Sequence, residues 1–279
     1  MKNSPGTKKL AVIGDPVAHS LSPLIHNAWI KSAGLDAQYE ALRVAADSDA
    51  TAEIRGLQNT FFGLNVTLPH KAAALAAASV VTPETRAIGA ANTLVAVAGG
   101  KWKAHNTDTE GFHDSLVQTL QSESVSGAKV ILIGAGGAAR AAAYVLTHQG
   151  IDPVIVNRSQ ANAEALAREL SPDATIAGLS ELPHLSESAD LVINSASLGH
   201  SGEALPELSE GRGRPFLDLS YGKAAARALG DASARGWTTH DGLVMLVGQA
   251  AAAFALWFRV RPDREAALAA CRQAVAART

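Results

Sequence analysis

Only one cysteine, Cys271, occurs among 279 residues, so no disulfide can close within the chain. Its surroundings read as a helix face, and a reducing, cytoplasmic setting fits. Runs of lysine or arginine are lacking too, and the net charge is −2, which argues against a nucleic-acid partner. The polar stretch Met1–Lys9 has no apolar core, so no secretory leader is expected. Long apolar runs are scarce. Gly242 to Phe258 is uncharged and reaches ~17 residues, near the lower limit for a membrane span. It contains Gln249 and the alanines 250–253, and no basic cluster precedes it, so it reads as a buried helix and no membrane partner is expected. No spacing of histidines or carboxylates suits a metal, and no internal repeat is present. What remains is a chain with 47% hydrophobic and 18% charged residues, globular values that suit one large or two small domains.

The chain is organised around Lys129-Val130-Ile131-Leu132-Ile133-Gly134-Ala135-Gly136-Gly137-Ala138-Ala139-Arg140. Apolar, β-prone residues run into a glycine cluster, and an alanine-rich helical pattern follows over 138–149. The spacing Gly134, Gly136, Ala139 fits the dinucleotide fingerprint of strand, tight turn and helix. In that fingerprint the first glycine permits the turn, the second lets a pyrophosphate approach the backbone, and the third small residue lets the helix pack on the strand. The helix N-terminus offers free N–H groups and a positive dipole end. A second strand, Pro153–Val156, follows at βαβ distance and ends in Asn157-Arg158-Ser159. An NAD site usually carries Asp or Glu there, for the ribose 2′-hydroxyl. Here an arginine and two small polar residues suit a 2′-phosphate, so NADP is predicted over NAD.

Something of domain size precedes this turn, and a substrate site belongs there. Strands are predicted over 10–13, 39–44 and 61–66, alternating with helices, which implies a mainly parallel sheet. Ser22 before Pro23 reads as the N-cap of the first helix, with Gly34 as its stop, and Asp47 reads as the cap of the second. Pro69 marks another helix start, which puts Lys71 in a first turn just past a strand's carboxyl end, the edge where open α/β sheets bind ligands. Residues 91–97 and 102–105 flank Gly99-Gly100 as a hairpin. Asn106-Thr107-Asp108 is a polar turn entering a helix to about Leu120, and residues 121–127 form a polar linker. Further strands are predicted over 189–194 and 215–220, with the run Asn194-Ser195-Ala196-Ser197-Leu198-Gly199 at a strand end. Two last helices, 242–258 and 262–277, exceed what a compact nucleotide domain requires and are expected to cross back onto the first. The expected organisation is a substrate domain of residues 1–120 plus 243–279 and a Rossmann-type NADP domain of residues 121–242, with a cleft between them.

Taken together, these stretches resemble the shikimate dehydrogenase family over nearly the whole chain. The resemblance rests on the residues 14–23, 65–71, 89–93, 106–108, 157–159 and 241–249, together with the glycine turn. It implies reversible reduction of 3-dehydroshikimate to shikimate by NADPH, a step in aromatic amino-acid synthesis, by two α/β domains acting as a monomer or homodimer. It also implies roles. Lys71 and Asp108 would form the catalytic pair. Ser20 and Ser22 would hold the substrate carboxylate, and Thr67, Asn92, Tyr221 and Gln249 would meet substrate oxygens beside Lys71 and Asp108. Gly134, Ala135, Gly136, Gly137, Ala138, Asn157, Arg158, Ser159, Leu219 and Gly242 would line the cofactor. His19, His70 and His240 read as local structural residues. Two features depart from the family pattern. No Thr-Pro pair follows Tyr221, and Gln160-Ala161-Asn162 supplies no second basic residue after Arg158, so NADP selectivity rests on Arg158 alone. The alternatives are a paralogue that also takes quinate or uses NAD, and a non-catalytic small-molecule sensor on the same fold.

Overall fold

The computed structural model describes residues 6–121, 127–196 and 203–278. It divides into two compact units, Met1–Thr107 with Val247–Cys271, and Asp108–Leu246 with Arg272–Thr279. The linker expected over 121–127, and the strand-end run beyond Ala196, lie largely outside the described residues.

The first unit runs β1 (Lys8–Gly14), α1 (Ser22–Ser32), β2 (Ala37–Arg43), α2 (Ala50–Gly56), β3 (Gly63–Val66), α3 (Lys71–Ala77), β4 (Val80–Val81), α4 (Pro83–Ile88), β5 (Thr93–Val97) and β6 (Lys101–His105). Its strands form one sheet in the order β2-β1-β3-β5-β6-β4. β1 is parallel to β2 and β3, while β5 runs antiparallel to both β3 and β6. The β5–β6 hairpin turns through Ala98, Gly99 and Gly100, and the φ angles of +79° and +62° at the two glycines lie in the left-handed region that glycine adopts without strain. Ile13, Leu64, Leu94 and Trp102 fill the core on one side of this sheet. The indole N–H of Trp102, fully buried, donates to the Ile54 carbonyl at 2.8 Å, so that its burial leaves no donor unmet.

Two helix starts differ from the sequence reading. The residue at the N-cap of α1 is Leu21, not Ser22, and no side chain caps it; Ser22 is already helical. Instead the Ser20 hydroxyl accepts the Ser22 amide at 3.2 Å. At α2 the cap is Asp49 rather than Asp47, its carboxylate accepting the Ala52 amide at 3.1 Å. The α1 cap thus stands one residue before the expected position and is itself helical in φ and ψ, whereas Asp49 stands two residues after Asp47, where the backbone leaves the helical region.

The second unit runs α5 (Asp108–Leu120), β7 (Val130–Ile133), α6 (Gly137–His148), β8 (Val154–Val156), α7 (Gln160–Leu170), β9 (Thr175–Ala177), α8 (Leu182–Ser186), β10 (Leu191–Asn194), β11 (Pro215–Asp218), α9 (Lys223–Ala234) and β12 (Thr238–His240). Its sheet has the order β12-β11-β10-β7-β8-β9 and is parallel throughout. The order reverses between β7 and β10, the switch point at which such sheets bind nucleotides. β7 and β10 are wholly buried, as the uninterrupted apolar runs require. Helices α10 (Leu243–Phe258) and α11 (Arg264–Ala276) close the chain. Among the described residues no helix is long and apolar enough to cross a membrane.

Within the first unit α10 is anchored by its last turns. The Trp257 indole donates to the Leu94 carbonyl at 3.1 Å and fills the space that a side chain at Gly63 would take. The Trp29 indole, in turn, donates to the Asp263 carbonyl at 2.7 Å. The C-terminal segment thus covers the β3–β5 side of the sheet with aromatic surface, and Trp29, Phe254 and Trp257 are each at most 5% exposed.

Candidate active site

In the first unit two of the polar residues singled out from the sequence, Asn92 and Gln249, meet beside the carboxyl end of β3, where the Asn92 backbone carbonyl accepts the Val66 amide. Asn92 is 2% exposed and bonds several neighbours. Its carbonyl oxygen accepts the Thr107 amide at 2.7 Å, and its amide donates to Thr107 Oγ1 at 3.0 Å and to Gln249 Oε1 at 3.4 Å. Thr93 joins through its hydroxyl, 3.1 Å from Asn92 Oδ1 and 2.9 Å from Thr107 Oγ1. Asn65, in the middle of an otherwise apolar strand, donates to Thr93 Oγ1 at 3.0 Å and accepts the Tyr39 hydroxyl at 2.7 Å. Ser22 on α1 stands near the Tyr39 hydroxyl and lowers its pKa slightly, against the larger effect of burial. An uncharged chain of hydroxyls and amides therefore runs from Tyr39 on β2 through Asn65, Thr93 and Asn92 to Gln249 on α10. Buried polar groups are stable only when partnered, and this network partners them mutually.

The sequence alone assigns no role to Tyr39, Asn65, Thr93 or Thr107. The one legible signal is Asn65, a buried-strand position holding an amide where Leu64 and Val66 flank it. Behind Tyr39 lies His26, stacked on its ring at 4.2 Å and tilted against Trp257 at 5.3 Å. His26 is fully buried, and burial drives its imidazole down to about 3, which Asn65 nearby opposes only weakly; neither ring nitrogen reaches a hydrogen-bond partner. The ring is therefore a neutral wall at physiological pH. Burial also raises the Tyr39 phenol well above its ordinary value, so it remains a neutral donor.

Lys71 is the first residue of α3 and is half-buried. Its carbonyl accepts the Ala91 amide at 3.0 Å, which fixes the start of α3 beside the segment carrying Asn92. Thr67 lies between β3 and α3. Its amide donates to the Ile13 carbonyl at 2.9 Å, and its methyl packs where a side chain at Gly14 would stand. His70 is held by Val44, Nε2 to carbonyl 2.8 Å, which makes it a tie between loops as the sequence suggests. Asp108 follows directly on Thr107, opens α5 and is 5% exposed.

In the second unit the glycine turn has the expected form. Gly134 ends β7 with φ +108°, and a Cβ there would meet Ser195 Oγ at 2.6 Å. Gly136 is the N-cap of α6, with no side-chain cap, and a Cβ placed on it would meet nothing within 4 Å. That open space above uncapped N–H groups is what a pyrophosphate fits. Gly137 and Ala138 form the first turn of α6, and Ala135 is half-buried beside them. At the end of β8, Asn157 folds back to donate to the Ser159 carbonyl at 2.8 Å, and the Ser159 hydroxyl caps α7 through the Asn162 amide at 3.4 Å. Arg158 is left 74% exposed, with Glu203 Oε2 at 3.1 Å from its guanidinium. Leu219 and Gly242 meet at the carboxyl end of β11, where a side chain on Gly242 would strike the Leu219 carbonyl. Tyr221 is half-buried, and in place of a Thr-Pro turn Gly222, at φ +60°, starts α9 directly.

Three matches to known families tile the chain. Residues 12–94 match the shikimate dehydrogenase substrate binding domain, 115–202 match shikimate / quinate 5-dehydrogenase, and 242–272 match the shikimate 5′-dehydrogenase C-terminal domain. A shikimate dehydrogenase (NADP(+)) of Hyphomonas neptunium is 46% identical over 272 residues, covering 97% of this chain and 99% of that enzyme. Among solved structures, shikimate 5-dehydrogenase of Thermus thermophilus in complex with shikimate superposes with a TM-score of 0.82 at 34% identity, covering 96% of this chain and 99% of that one. A shikimate dehydrogenase in complex with NADP+ gives 0.84 at 30% identity, with 96% of both chains covered.

Proposed function

The chain belongs to the shikimate dehydrogenase family, and we propose that it catalyses the reversible NADPH-dependent reduction of 3-dehydroshikimate to shikimate. The observation that carries the assignment to this chain's own residues is the uncharged network from Tyr39 to Gln249. A small ring bearing one carboxylate and several hydroxyls needs short donors and acceptors of both kinds, fixed in place, and the network supplies them from buried positions.

Bound at the glycine turn, NADPH supplies the hydride. Gly134 to Ala138 hold its pyrophosphate with backbone N–H groups, and Asn157, Arg158 and Ser159 meet the adenosine end, Arg158 taking the 2′-phosphate. Leu219 and Gly242 would line the cofactor as well. In the first unit Ser20 and Ser22 receive the substrate carboxylate. Thr67, Asn92, Tyr221 and Gln249 are the proposed partners of the ring oxygens. As the C3 carbonyl is reduced, negative charge grows on its oxygen. Lys71 stabilises that charge and delivers the proton, and Asp108 orients Lys71 and a ring hydroxyl. In the reverse direction Lys71 accepts the hydroxyl proton. The substrate half of this reading is residues 1–120 with 243–279, and the cofactor half 121–242. The enzyme works as a monomer or homodimer in the cytoplasm.

Initial rates with shikimate and with quinate, each with NADP+ and with NAD+, test the assignment. Turnover concentrated in the shikimate–NADP+ pair is expected. Dominant quinate turnover would move the chain to the paralogous specificity, and tight shikimate binding without any NADP+ reduction would make it a sensor.

A further inference from the structure

We infer that Asp218 is a positioning residue for the cofactor, a buried hub that fixes the loops at the carboxyl edge of the second unit's sheet. The inference rests on the reading that Gly134, Leu219 and Gly242 line the dinucleotide.

Asp218 ends β11 and is 1% exposed. Among the described residues no lysine or arginine pairs with it. One carboxylate oxygen accepts the Ser220 amide at 2.7 Å, and the other accepts the Asn194 side-chain amide at 2.7 Å. Each of these partners reaches further. Asn194 Oδ1 accepts the Ala196 amide at 3.1 Å, while the Asn194 carbonyl accepts the Leu219 amide at 2.8 Å. The neighbouring Ser195 hydroxyl donates to the Ile133 carbonyl at 2.6 Å and stands where Gly134 leaves room for it. On the other side the Ser220 carbonyl accepts the Gly242 amide at 2.8 Å, and Gly242 packs without a side chain against Leu219. The carboxylate thereby ties the loop after β10 to the loop after β11, and Ser195 and Ser220 extend those ties to the end of β7 and to Gly242 after β12.

Asp218 is needed as an acceptor twice over. An amide in its place presents one oxygen and one N–H group to two donors, so one donor is left unmet in a buried site. Protonation does the same. The groups acting on it are the Asn194 amide from β10, the Ser220 amide and the Asp241 carboxylate from the loop after β12, while His240 on β12 pairs in the sheet with the neighbouring Leu217. Burial, with a smaller contribution from Asp241, lifts its carboxyl to about 6, while the Ser220 and Asn194 hydrogen bonds oppose the rise. At neutral pH the clip is therefore set, and mild acid releases it.

The test is the Michaelis constant for NADP+ and for shikimate in the wild type and in Asp218→Asn, followed between about pH 8 and about pH 5. At the upper end a rise of about tenfold in the NADP+ constant is expected, with the shikimate constant within about twofold. The ratio of mutant to wild type then shrinks toward one at the lower end, because the wild type also loses its second acceptor. The cofactor's 2′-phosphate titrates in the same range, but it does so in both proteins and cancels in the ratio. Asn194→Ala, which removes the other partner, is expected to show the same selective rise if Asp218→Asn does not fold. An unchanged NADP+ constant in the folded variants, or a ratio that stays flat with pH, overturns the inference. Gly242→Ala separates the two levels. If it raises the NADP+ constant while Asp218→Asn does not, the cofactor edge stands and the hub falls. If neither does, both fall.

Discussion

Asn92 and Gln249 stand 157 positions apart in the chain, yet the Asn92 amide donates to the Gln249 side-chain carbonyl at 3.4 Å. The same helix is fastened further along, where Trp257 donates to Leu94. Two ties thus set α10 against the start of β5, and they place an amide on each side of the network that the substrate is proposed to join.

Gln249→Ala removes one end of that pair and takes one of the acceptors from the buried Asn92 amide, which keeps Thr107 Oγ1. An unmet buried group costs about 1–3 kcal/mol, and ~1.4 kcal/mol is tenfold in an equilibrium constant. The Michaelis constant for shikimate is expected to rise by about tenfold, while the constant for NADP+ stays put. Steady-state kinetics with each substrate varied in turn would show this, and an unchanged shikimate constant would remove Gln249 from the substrate site.

Lys71→Ala takes away the proposed proton donor at the head of α3. Turnover should fall roughly 10²–10⁴-fold, the usual worth of general acid–base help, with shikimate affinity little changed. Single-turnover rates paired with equilibrium binding separate the two quantities. A variant that keeps its rate would exclude Lys71 from proton transfer.

Arg158 is the basic residue left exposed after β8, with Glu203 as its ion-pair partner. Such an exposed pair contributes little to stability, so Arg158→Ala should leave the melting temperature within about a degree. Its loss should instead weaken NADP+ by about 10–100-fold, the range for a hydrogen bond to a charged group, with NAD+ hardly affected. Equal losses with both cofactors would show that the 2′-phosphate is read elsewhere.

Much of this arrangement can be read from the residues because the signals are local. An apolar run, a glycine and an alanine helix follow one another directly at β7 and α6, and glycines with positive φ close the β5–β6 hairpin. Caps are harder. Asp47 and Asp49 are equally good candidates by residue type, and only the backbone at position 49 decides between them. The strand expected to continue to Ser220 stops at Asp218, because the carboxylate turns the chain by taking the Ser220 amide. Tyr39, Asn65 and His26 are invisible as a group. Their mutual burial comes from stacking α1 and α10 over β2 and β3, and no periodicity within one element encodes that.

The acid response of the fold should draw on groups that burial shifts in opposite directions: His26 and the half-buried His105, whose imidazoles are lowered, and Asp218, whose carboxyl is raised. His26 has its imidazole lowered to about 3 by burial, against about 6.5 in an unfolded chain. The unfolded state therefore binds the extra proton first, so the stability that His26 contributes above about pH 6.5 is lost as pH falls toward about 3. Asp218 is raised to about 6 from 3.8, so the folded state takes up its proton first. Its contribution is greatest below about pH 4 and is lost as pH rises through about 6. Replacing His26 by phenylalanine keeps a flat ring against Tyr39, stacked there at 4.2 Å, and removes the proton uptake. The variant should match the wild type near neutrality and hold its melting temperature in mild acid where the wild type declines. Thermal melts at about pH 7 and at about pH 5 decide the matter: parallel curves for the two proteins would mean that His26 does not set the acid limit.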